Sequence, residues 1–485
     1  MVGLETDIQV SLADTLAMPN VKPIELDGST LEGGGQLVRV ALSLSAITGI
    51  PVHIYNVRAN RAPQGRSKQD GKAQSRGGRS KGGVRGGAGK AEGGLKESHL
   101  AAVIYLARMC NAYVEGAEVG SRDIAFIPGA DHDQYKTAKA AKPNALVDFE
   151  TNTIELRNPG SVWLILQAIL PFFIFGKDSS PSGSAQGQRA STSRATTPSN
   201  RAKEEDAVHL TLKGGTNVSK SMSGEYAQHV LLPILHRIGL PLIECDIKDR
   251  GWAGNASKIG EVHIRMRRSP IGRFKLPSFE VRDRGDIEKL TVHMVSGDRD
   301  KEDLEQVLKG VIAEYFAPDL PVDVLGAEDS GDPRRLYLLL VAHTTNGWRL
   351  GQDFLSSGRT PKNEAERGKM IDHMCQTVVM ELKRELKRGG CVDEYLQDQL
   401  VIFQALGSGT SVIDGGDWGD HQSHEDPEYG DAEGSLHSRT VRWVCERMLR
   451  KQGVEFESRG KCRGIGWDSS SGDAATEKLE ALCIQ

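Results

Sequence analysis

One segment near the start of the chain combines charge with unusual backbone freedom. Glu32 stands before three glycines, Gly33–Gly35, and Arg39 follows them in the sequence EGGGQLVR. Glycines at a strand-to-helix turn leave backbone N–H groups uncovered at the helix N-terminus, an end that attracts phosphate. Glu32 could hold a divalent cation there, and Arg39 would lie about one turn into the helix. The alternative is a glycine turn that only connects two elements; a Walker A loop is excluded, because no Gly-Lys-Ser/Thr follows.

Two arginines and a histidine further along the chain suit the same chemistry. Arg58 and Arg61 lie at the end of a predicted strand, PVHIYNVRANR, and two guanidiniums fixed there could bind phosphate in a bidentate manner. The alternative is a solvated strand end. His99 opens the next predicted helix, where it either packs or contacts a ligand.

Two more polar residues stand out against their surroundings. Gln167 interrupts the apolar helix VWLILQAILPFF, and a buried amide needs partners, either backbone groups or a ligand. His437 precedes a helix in GSLHSRTVRWVCERML. A neutral imidazole near a helix N-terminus and near arginines could attack a phosphorus atom. Spacing alone does not join His437 to the glycine segment some 400 residues away.

The elements that must position these residues alternate between strands and helices, and one pattern recurs. Glycine pairs near Gly33, Gly214 and Gly389 each stand just before a predicted helix, at spacings of about 180 residues. Three decorated copies of one α/β module are the simplest explanation of this recurrence. The stretch before the third copy lacks the pattern and has its own strands and helix, which indicates an inserted domain.

The predicted fold class is therefore α+β, with a large domain of three repeated α/β modules and a smaller inserted α+β domain. The large domain is expected over 22–266 and 389–485, the inserted domain over 267–388, and a flexible N-terminus over 1–21.

Three stretches of biased composition are predicted to be flexible loops of the large domain. Residues 62–94 contain eight basic and two acidic residues, and they are interpreted either as a tolerated insertion or as an auxiliary RNA-binding segment. Residues 177–205 form a Ser/Thr/Gly/Ala tract. Residues 413–434 are strongly acidic and are expected to form a solvated loop.

Composition excludes several classes of protein. The chain has 485 residues with 61 basic and 65 acidic side chains, a balance too even to indicate a nucleic-acid or membrane partner by itself. The most apolar run, Trp163 to Phe175, is shorter than the roughly 20 residues that span a bilayer. The N-terminus lacks the pattern of a signal peptide, and the seven scattered cysteines suit a reducing compartment. No membrane partner and no secretion are expected.

Taken together, the segments resemble the RNA 3'-terminal phosphate cyclase family. Those that match occur in family order from about residue 22 to 445: DGSTLEGGGQLVR, ALSLSAITGIP, VRANR, the helix beginning His99-Leu100, VEGAEVGSRDIAFIPG, NPGSVWLILQAILP, LTLKGGTN, IKDRG with GEV, GGCVDEYLQDQL and SLHSRT. The combination of EGGGQxxR, EYLQDQL and a later LHxxT is specific.

The resemblance implies three repeated α+β modules with a smaller domain inserted before the last one. It implies that ATP and a divalent metal, Mg or Mn, are used to convert an RNA 3'-phosphate into a 2',3'-cyclic phosphate. A histidine attacks the α-phosphate and becomes adenylylated, AMP passes to the RNA 3'-phosphate, and the neighbouring 2'-OH displaces it. The implied partner is RNA with a 3'-phosphate end, in the nucleus or the cytoplasm, and the oligomeric state stays open.

Matching motifs assign the residues. His437 falls at the position of the adenylylated nucleophile, and Glu32 falls at that of the metal-associated glutamate. Two further sets follow from the resemblance: Gln167, Tyr395, Asp398, Gln399 and Arg39 for the nucleotide, and Arg58, Arg61 and His99 for the RNA phosphate.

Departures from the family pattern keep a second function open. Ser98 stands where the family has Gln, the proline after GGTN is lost near Met222, and a glycine triplet is reduced to Lys258-Ile259-Gly260. The family has a noncatalytic branch in ribosome biogenesis that lacks the nucleophilic histidine, and a degenerate RNA-binding protein that keeps the fold is a third alternative. His437 and the intact EGGGQ segment favour the catalytic branch.

Overall fold

The computed structural model describes residues 22–59, 93–129, 146–176, 207–254, 257–267, 274–418, 434–458 and 460–468. The segment 1–21 and most of the three predicted loops lie outside these ranges. The described chain is a mixture of helices and mixed sheets, which confirms the predicted α+β class.

The elements follow one another along the chain. The strands are β1 (Ile24–Asp27), β2 (Val52–Tyr55), β3 (Tyr113–Glu115), β4 (Ile124–Ile127), β5 (Val147–Asp148), β6 (Thr153–Glu155), β7 (Ala207–Gly214), β8 (Ile243–Asp249), β9 (Gly260–Arg267), β10 (Glu280–Val281), β11 (Ile287–Ser296), β12 (Val322–Asp329), β13 (Tyr337–Thr344), β14 (Arg349–Leu355), β15 (Ser408–Ile413), β16 (Glu455–Phe456) and β17 (Lys461–Ile465). The helices are α1 (Gly35–Thr48), α2 (Glu97–Met109), α3 (Val162–Phe175), α4 (Gly224–Tyr226), α5 (Leu232–Arg237), α6 (Asp298–Tyr315), α7 (Glu364–Lys387), α8 (Glu394–Leu406) and α9 (Leu436–Leu449). A π-helical turn, Ala227–Leu231, joins α4 to α5.

Three sheets share a common order in which a parallel pair is followed by an antiparallel pair. The first sheet is β1-β2-β4-β3, the second carries β6-β7-β9-β8 with β5 added at its edge, and the third is β10-β15-β17-β16. In the first sheet α1 lies between the two parallel strands along the chain, and α3 does the same in the second. A common origin of the three units stays a prediction.

In the fourth sheet, β12-β11-β13-β14, the two central strands are buried on both faces. Successive side chains of β13 point to opposite faces, as the period of a strand requires. Leu338 and Leu340 join a core formed with α6 and α7, whereas Leu339 and Val341 join the larger core of the other three sheets. One strand thus connects two separate cores.

The strand β10 bears on where the inserted unit begins. Its residues pair with β15, and Leu276, Phe279 and Val281 belong to the larger core. This pairing favours a start at β11 over the predicted start at residue 267. The two-domain division itself stays a prediction.

Helix α1 lies at the centre of the larger core. All of its residues except Gly35 are buried, and it contacts α2, α3 and α9. Such a helix fixes the relative positions of three others. No helix of the described residues is long and apolar enough to cross a membrane.

Two predicted loops are structured at one end. Gly94, the last residue of the predicted loop 62–94, has a φ of 81° and donates its N–H to the Val57 carbonyl at 2.8 Å. At the start of the predicted loop 413–434, Trp418 packs under the guanidinium of Arg388, 4.0 Å from its ring centroid. Local composition missed both anchors because each depends on a residue distant in sequence.

We predict that residues 62–92 can be replaced by a short Gly/Ser linker with little change in melting temperature, because their composition cannot contribute to a core.

Gly94→Ala should lower stability by about 1–3 kcal/mol, since its Cβ would collide with the Gly120 carbonyl oxygen. Gly49→Ala is the control: its φ is 76°, but its Cβ would meet nothing within 4 Å. An unfolded linker variant, or equal losses in the two alanine variants, contradicts the prediction.

Candidate active site

The glycine segment forms a turn that leads directly into α1, which begins at Gly35. Glu32 folds back over this turn, and a Cβ added at Gly34 would collide with the Glu32 carboxylate. The predicted arrangement of a carboxylate and backbone N–H groups at one helix N-terminus is therefore present.

Helix α9 lies directly against the glycine turn. The backbone N–H of Glu32 donates to Thr440 Oγ1 at 3.2 Å, and Thr440 Oγ1 donates to the Leu436 carbonyl at 2.7 Å. Ser435 caps the helix by accepting from the Ser438 N–H at 3.2 Å. His437 is exposed in the first turn of α9, three residues before Thr440. The fold therefore brings together two segments that sequence spacing did not connect.

Arg58 lies near two basic side chains, His99 and Arg39, that border Gly35. A Cβ at this position would collide with His99 Nε2 and come within 2.8 Å of Arg39 Nη1. Arg58 is 8% exposed, with a left-handed φ of 55°, and its Nη1 donates to the Gly94 carbonyl at 3.1 Å. The solvated strand end considered from the sequence is thus wrong for Arg58. Arg61 lies outside the described residues.

The imidazole of His99 is held neutral in this setting. Burial lowers its pKa well below the usual value, and the charges of Arg39, Arg58 and Lys96 lower the pKa further. The Lys96 N–H donates to His99 Nδ1 at 3.1 Å, so the neutral ring carries its proton on Nε2. His99 therefore presents a hydrogen-bond donor beside two guanidiniums.

A mostly apolar pocket lies next to this basic group, between α1, α3 and α8. Four of the predicted nucleotide residues line it, together with side chains that sequence reasoning missed; the lining comprises Gln36, Arg39, Val40, Trp163, Leu166, Gln167, Leu170, Pro171, Met222, Leu231, Leu235, Asp398, Gln399, Ile402 and Phe403. Trp163 gave no signal in the sequence because apolar residues of this kind also fill ordinary cores, and Met222 stood out only as the place where the family proline is lost. Tyr395 lies one turn earlier on α8, about half exposed, with its ring edge-on to Tyr226 and outside the described lining.

Two buried polar atoms at the pocket make no hydrogen bond to the described part of the chain. Gln167 Oε1 and Arg39 Nε are buried and have no hydrogen-bond partner among the described residues. Buried polar groups normally have partners, so such atoms in a pocket indicate a polar ligand.

Burial strongly shifts the pKa values of two charged side chains in the pocket, Arg39 and Asp398. Burial lowers the pKa of Arg39 to about 10, against the opposing effect of Asp398 and with the repulsion of Arg58. It also raises the pKa of Asp398 to about 7, although Gln399 Nε2 donates to Asp398 Oδ1 at 2.6 Å and Arg39 is close. Perturbed carboxyl groups of this kind are typical of functional sites.

The Glu32 carboxylate fits one mode of divalent-metal binding. No cluster of three or more His, Cys, Asp or Glu residues able to hold a metal occurs among the described residues. Mg²⁺ is commonly bound through one or two carboxylates together with the phosphates of a substrate, so a single carboxylate beside a helix N-terminus, an end that attracts phosphate, suits it.

Comparison with known proteins identifies the class to which this fold and site belong. The family described as RNA 3'-terminal phosphate cyclase matches residues 30–73 and 83–457, and the chain belongs to this family.

The chain is also similar to individual proteins of that name. It is 28% identical to an RNA 3'-terminal phosphate cyclase of Pyrococcus furiosus over 448 residues, covering 91% of this chain and 96% of the relative. It is 27% identical to the one of Thermococcus kodakarensis, covering 90% and 95%, and 25% identical to the one of Methanosarcina barkeri, covering 88% and 94%.

We predict that Asp398→Asn stabilises the protein at pH 8. The folded pKa is about 7 and the ordinary value is 3.8, so the folded state binds this proton more tightly. The free energy of unfolding therefore falls as pH rises between about 4 and 7, and at pH 8 the ionised carboxylate destabilises the fold by about 1–3 kcal/mol. Melting curves at pH 5 and pH 8 measure this.

The exposed Asp372 on α7 provides the control variant Asp372→Asn. Nucleotide binding by Asp398→Asn should weaken while its stability rises. If Asp398→Asn is less stable than the parent at pH 8, the raised pKa of Asp398 is contradicted.

Proposed function

We propose that this protein converts an RNA 3'-terminal phosphate into a 2',3'-cyclic phosphodiester with ATP as the energy source. The reaction passes through an adenylylated His437 and an RNA-(3')pp(5')A intermediate. The observation that carries the proposal is the hydrogen bond between the Glu32 N–H and Thr440 Oγ1, because it holds the helix of His437 against the phosphate-binding turn.

The pocket is the proposed site of the nucleotide base. Its walls are apolar, and Gln167 Oε1 is available to accept a hydrogen bond. Arg39 lines this pocket and also reaches Gly35, so one side chain extends from the base pocket to the proposed phosphate site.

His437 is the proposed nucleophile. Its imidazole attacks the α-phosphorus of ATP, a nitrogen–phosphorus bond forms, and pyrophosphate leaves. The positive charges of Arg39 and Arg58, with the helix N-terminus, stabilise the charge that develops on the phosphorus oxygens. A divalent metal bound at Glu32 would supply further positive charge at these oxygens.

In the next step the adenylate is transferred from His437 to the RNA 3'-phosphate. A 3'-phosphate oxygen attacks the phosphorus held by His437, which gives the RNA-adenylate and frees the histidine. The neighbouring 2'-OH attacks the 3'-phosphorus, AMP leaves, and the cyclic phosphate remains. The last step is intramolecular, and such proximity can contribute several kcal/mol. His99 Nε2–H and the guanidinium of Arg58 are the proposed contacts to the RNA phosphate.

A noncatalytic RNA-binding protein of the cyclase-like branch is the second candidate. The positions that depart from the family pattern are its main support. Met222 lines the pocket in an apolar environment, and Ser98 is buried in the first turn of α2. Neither residue adds a charge to the proposed site. The exposed His437 in the first turn of α9 favours the catalytic function.

We also infer that the large domain consists of three repeated modules. Support comes from the common order of its three sheets, each a parallel pair followed by an antiparallel pair. In the third sheet the inserted unit, β11–β14 with α6 and α7, lies between β10 and α8. This position is compatible with insertion into one copy of an older module.

Arg58→Lys tests the RNA-phosphate role. Lysine keeps the charge but loses the planar fork that binds phosphate at two points. We expect kcat/KM for 3'-phosphorylated RNA to fall about tenfold, a loss of roughly 1.4 kcal/mol, with the melting temperature nearly unchanged. Arg108→Lys, an exposed arginine in the last turn of α2, serves as the control. Unchanged kinetics in Arg58→Lys would return Arg58 to a structural role.

Labelled ATP tests the nucleophile directly. Incubation with ATP labelled at the α-phosphate and a divalent metal should give acid-labile label on the protein, whereas γ-label should not be retained. His437→Ala should abolish the label, and His209→Ala, an exposed histidine on β7, should retain it. The label should pass to RNA with a 3'-phosphate and leave a cyclic end. Folded protein that binds RNA but acquires no α-label would support the noncatalytic function.

A further inference from the structure

A fully buried aspartate connects the fourth sheet to the helix of the nucleotide pocket. Asp393 is 0% exposed and caps α8, where its Oδ1 accepts from the N–H groups of Tyr395 at 3.1 Å and Leu396 at 2.9 Å. The same oxygen accepts from the Tyr226 hydroxyl at 2.5 Å. Its Oδ2 accepts from the Gly351 N–H at 2.8 Å. A helix cap needs only the first two of these four bonds.

The other two bonds come from the place where the fourth sheet meets the larger core. Gly351 lies on β14, and a Cβ there would approach Val230 within 2.8 Å and the Tyr226 ring within 3.2 Å. The backbone of the sheet therefore rests directly on α4 and its π-helical turn. Asp393 accepts one hydrogen bond from each side of this contact.

Helix α8 connects Asp393 to the pocket, because the helix begins at this cap and bears residues that line the pocket. Asp398 and Gln399, little more than one turn beyond the cap, line the pocket, and Tyr395 lies in the first turn. A 13-residue helix moves as a unit, so the direction of its first turn decides where these side chains point.

The aspartate is costly at this position. Burial raises the pKa of Asp393 to about 6 even though four groups donate to it. A buried carboxylate is costly unless hydrogen bonds compensate it, and two of the four bonds to Asp393 lie beyond what the helix cap requires.

We propose that Asp393 is a positioning residue. By accepting hydrogen bonds from both Tyr226 and Gly351, it lets the contact between the fourth sheet and α4 set the direction of α8, and thereby the affinity of the pocket for ATP. This inference rests on the proposed function, because it takes the pocket to be the ATP site.

Asp393→Asn separates the cap from the connection. Asparagine caps helices as well as aspartate does, so its Oδ1 can serve Tyr395 and Leu396. Its Nδ2 then faces the Gly351 N–H, and two donors meet where an acceptor stood. Tyr226→Phe removes the hydroxyl from the same network.

Tyr337→Phe is the matched control. Tyr337 is also a fully buried tyrosine at this contact, but its hydroxyl bonds to Ser223 at 2.6 Å and Asp353 at 3.0 Å rather than to Asp393. All three variants should lower the melting temperature. The Asp393→Asn and Tyr226→Phe proteins should show an apparent KM for ATP raised roughly tenfold in the self-adenylylation assay, with the rate at saturating ATP within about twofold. The Tyr337→Phe protein should keep the parental KM.

Two results would overturn the proposal. One is a KM for ATP that rises in all three variants in proportion to their loss of melting temperature, because the hydrogen-bond network would then have only a structural role. The other is an unchanged KM in Asp393→Asn and Tyr226→Phe. Calorimetric titration with a nonhydrolysable ATP analogue separates this failure from failure of the proposed function. If the unmodified protein binds no analogue, both proposals fail; if it binds analogue but acquires no label, only the chemistry fails, and the same variants are compared by their Kd.

Discussion

The burial of one guanidinium inside the central helix is the constraint on which the rest of this structure depends. Arg39 is 8% exposed on a helix whose residues after Gly35 are all buried. Removing such a charge from water is expensive unless opposite charge or a ligand compensates. Asp398 compensates the charge of Arg39 only in part, because burial raises the pKa of the Asp398 carboxyl to about 7 and the group is then only partly ionised near neutral pH. The arrangement is best compensated when an anion lies against it, as the proposed phosphate would.

The sequence was informative wherever a local pattern determines a local structure. The start of α1 at the glycine turn and the polar interruption at Gln167 could both be predicted, because helix signals and a polar residue among apolar ones are visible in a short window. The α+β class followed from the alternation of such windows. The described pocket lining includes Gln167, Asp398, Gln399 and Arg39, which only the family resemblance had grouped together.

The remainder depends on contacts between distant segments. The bond from Glu32 to Thr440 joins residues 408 apart, and no local pattern specifies such a pair. For Arg58 the sequence left both phosphate binding and a solvated strand end open; the structure excludes the second, because the Gly94 carbonyl accepts a hydrogen bond from the buried guanidinium. The predicted range of the inserted domain, 267–388, includes the short strand β10, and two residues carry too little periodicity to show which sheet they join.

Polar side chains also take part in the contact between the fourth sheet and the larger core. The rings of His229, in the π-helical turn, and His293, on β11, stack at 3.6 Å between centroids. Burial lowers their pKa values to about 4 and about 3, so both are neutral at physiological pH and can stack without repulsion. Single π-helical turns inside helices are frequent at functional sites. Here the turn gives the fourth sheet a surface to rest on, one residue after the tyrosine whose hydroxyl reaches Asp393.

Helix geometry explains how one element can serve both ends of the proposed nucleotide. Gln36, Arg39 and Val40 follow the spacing that puts residues on one helix face, and all three line the pocket. Gly35 begins the same helix beside His99, where the N-terminal N–H groups and the basic side chains gather. Successive turns of a helix are ~5.4 Å apart, so Arg39 and Val40 line the pocket about one turn away from the proposed phosphate site at Gly35. Because α9 is fixed to the turn before this helix through Thr440, His437 is fixed relative to the same end. The distance between a bound base and an attacked phosphorus would then be set by backbone geometry, which side-chain motion cannot easily change.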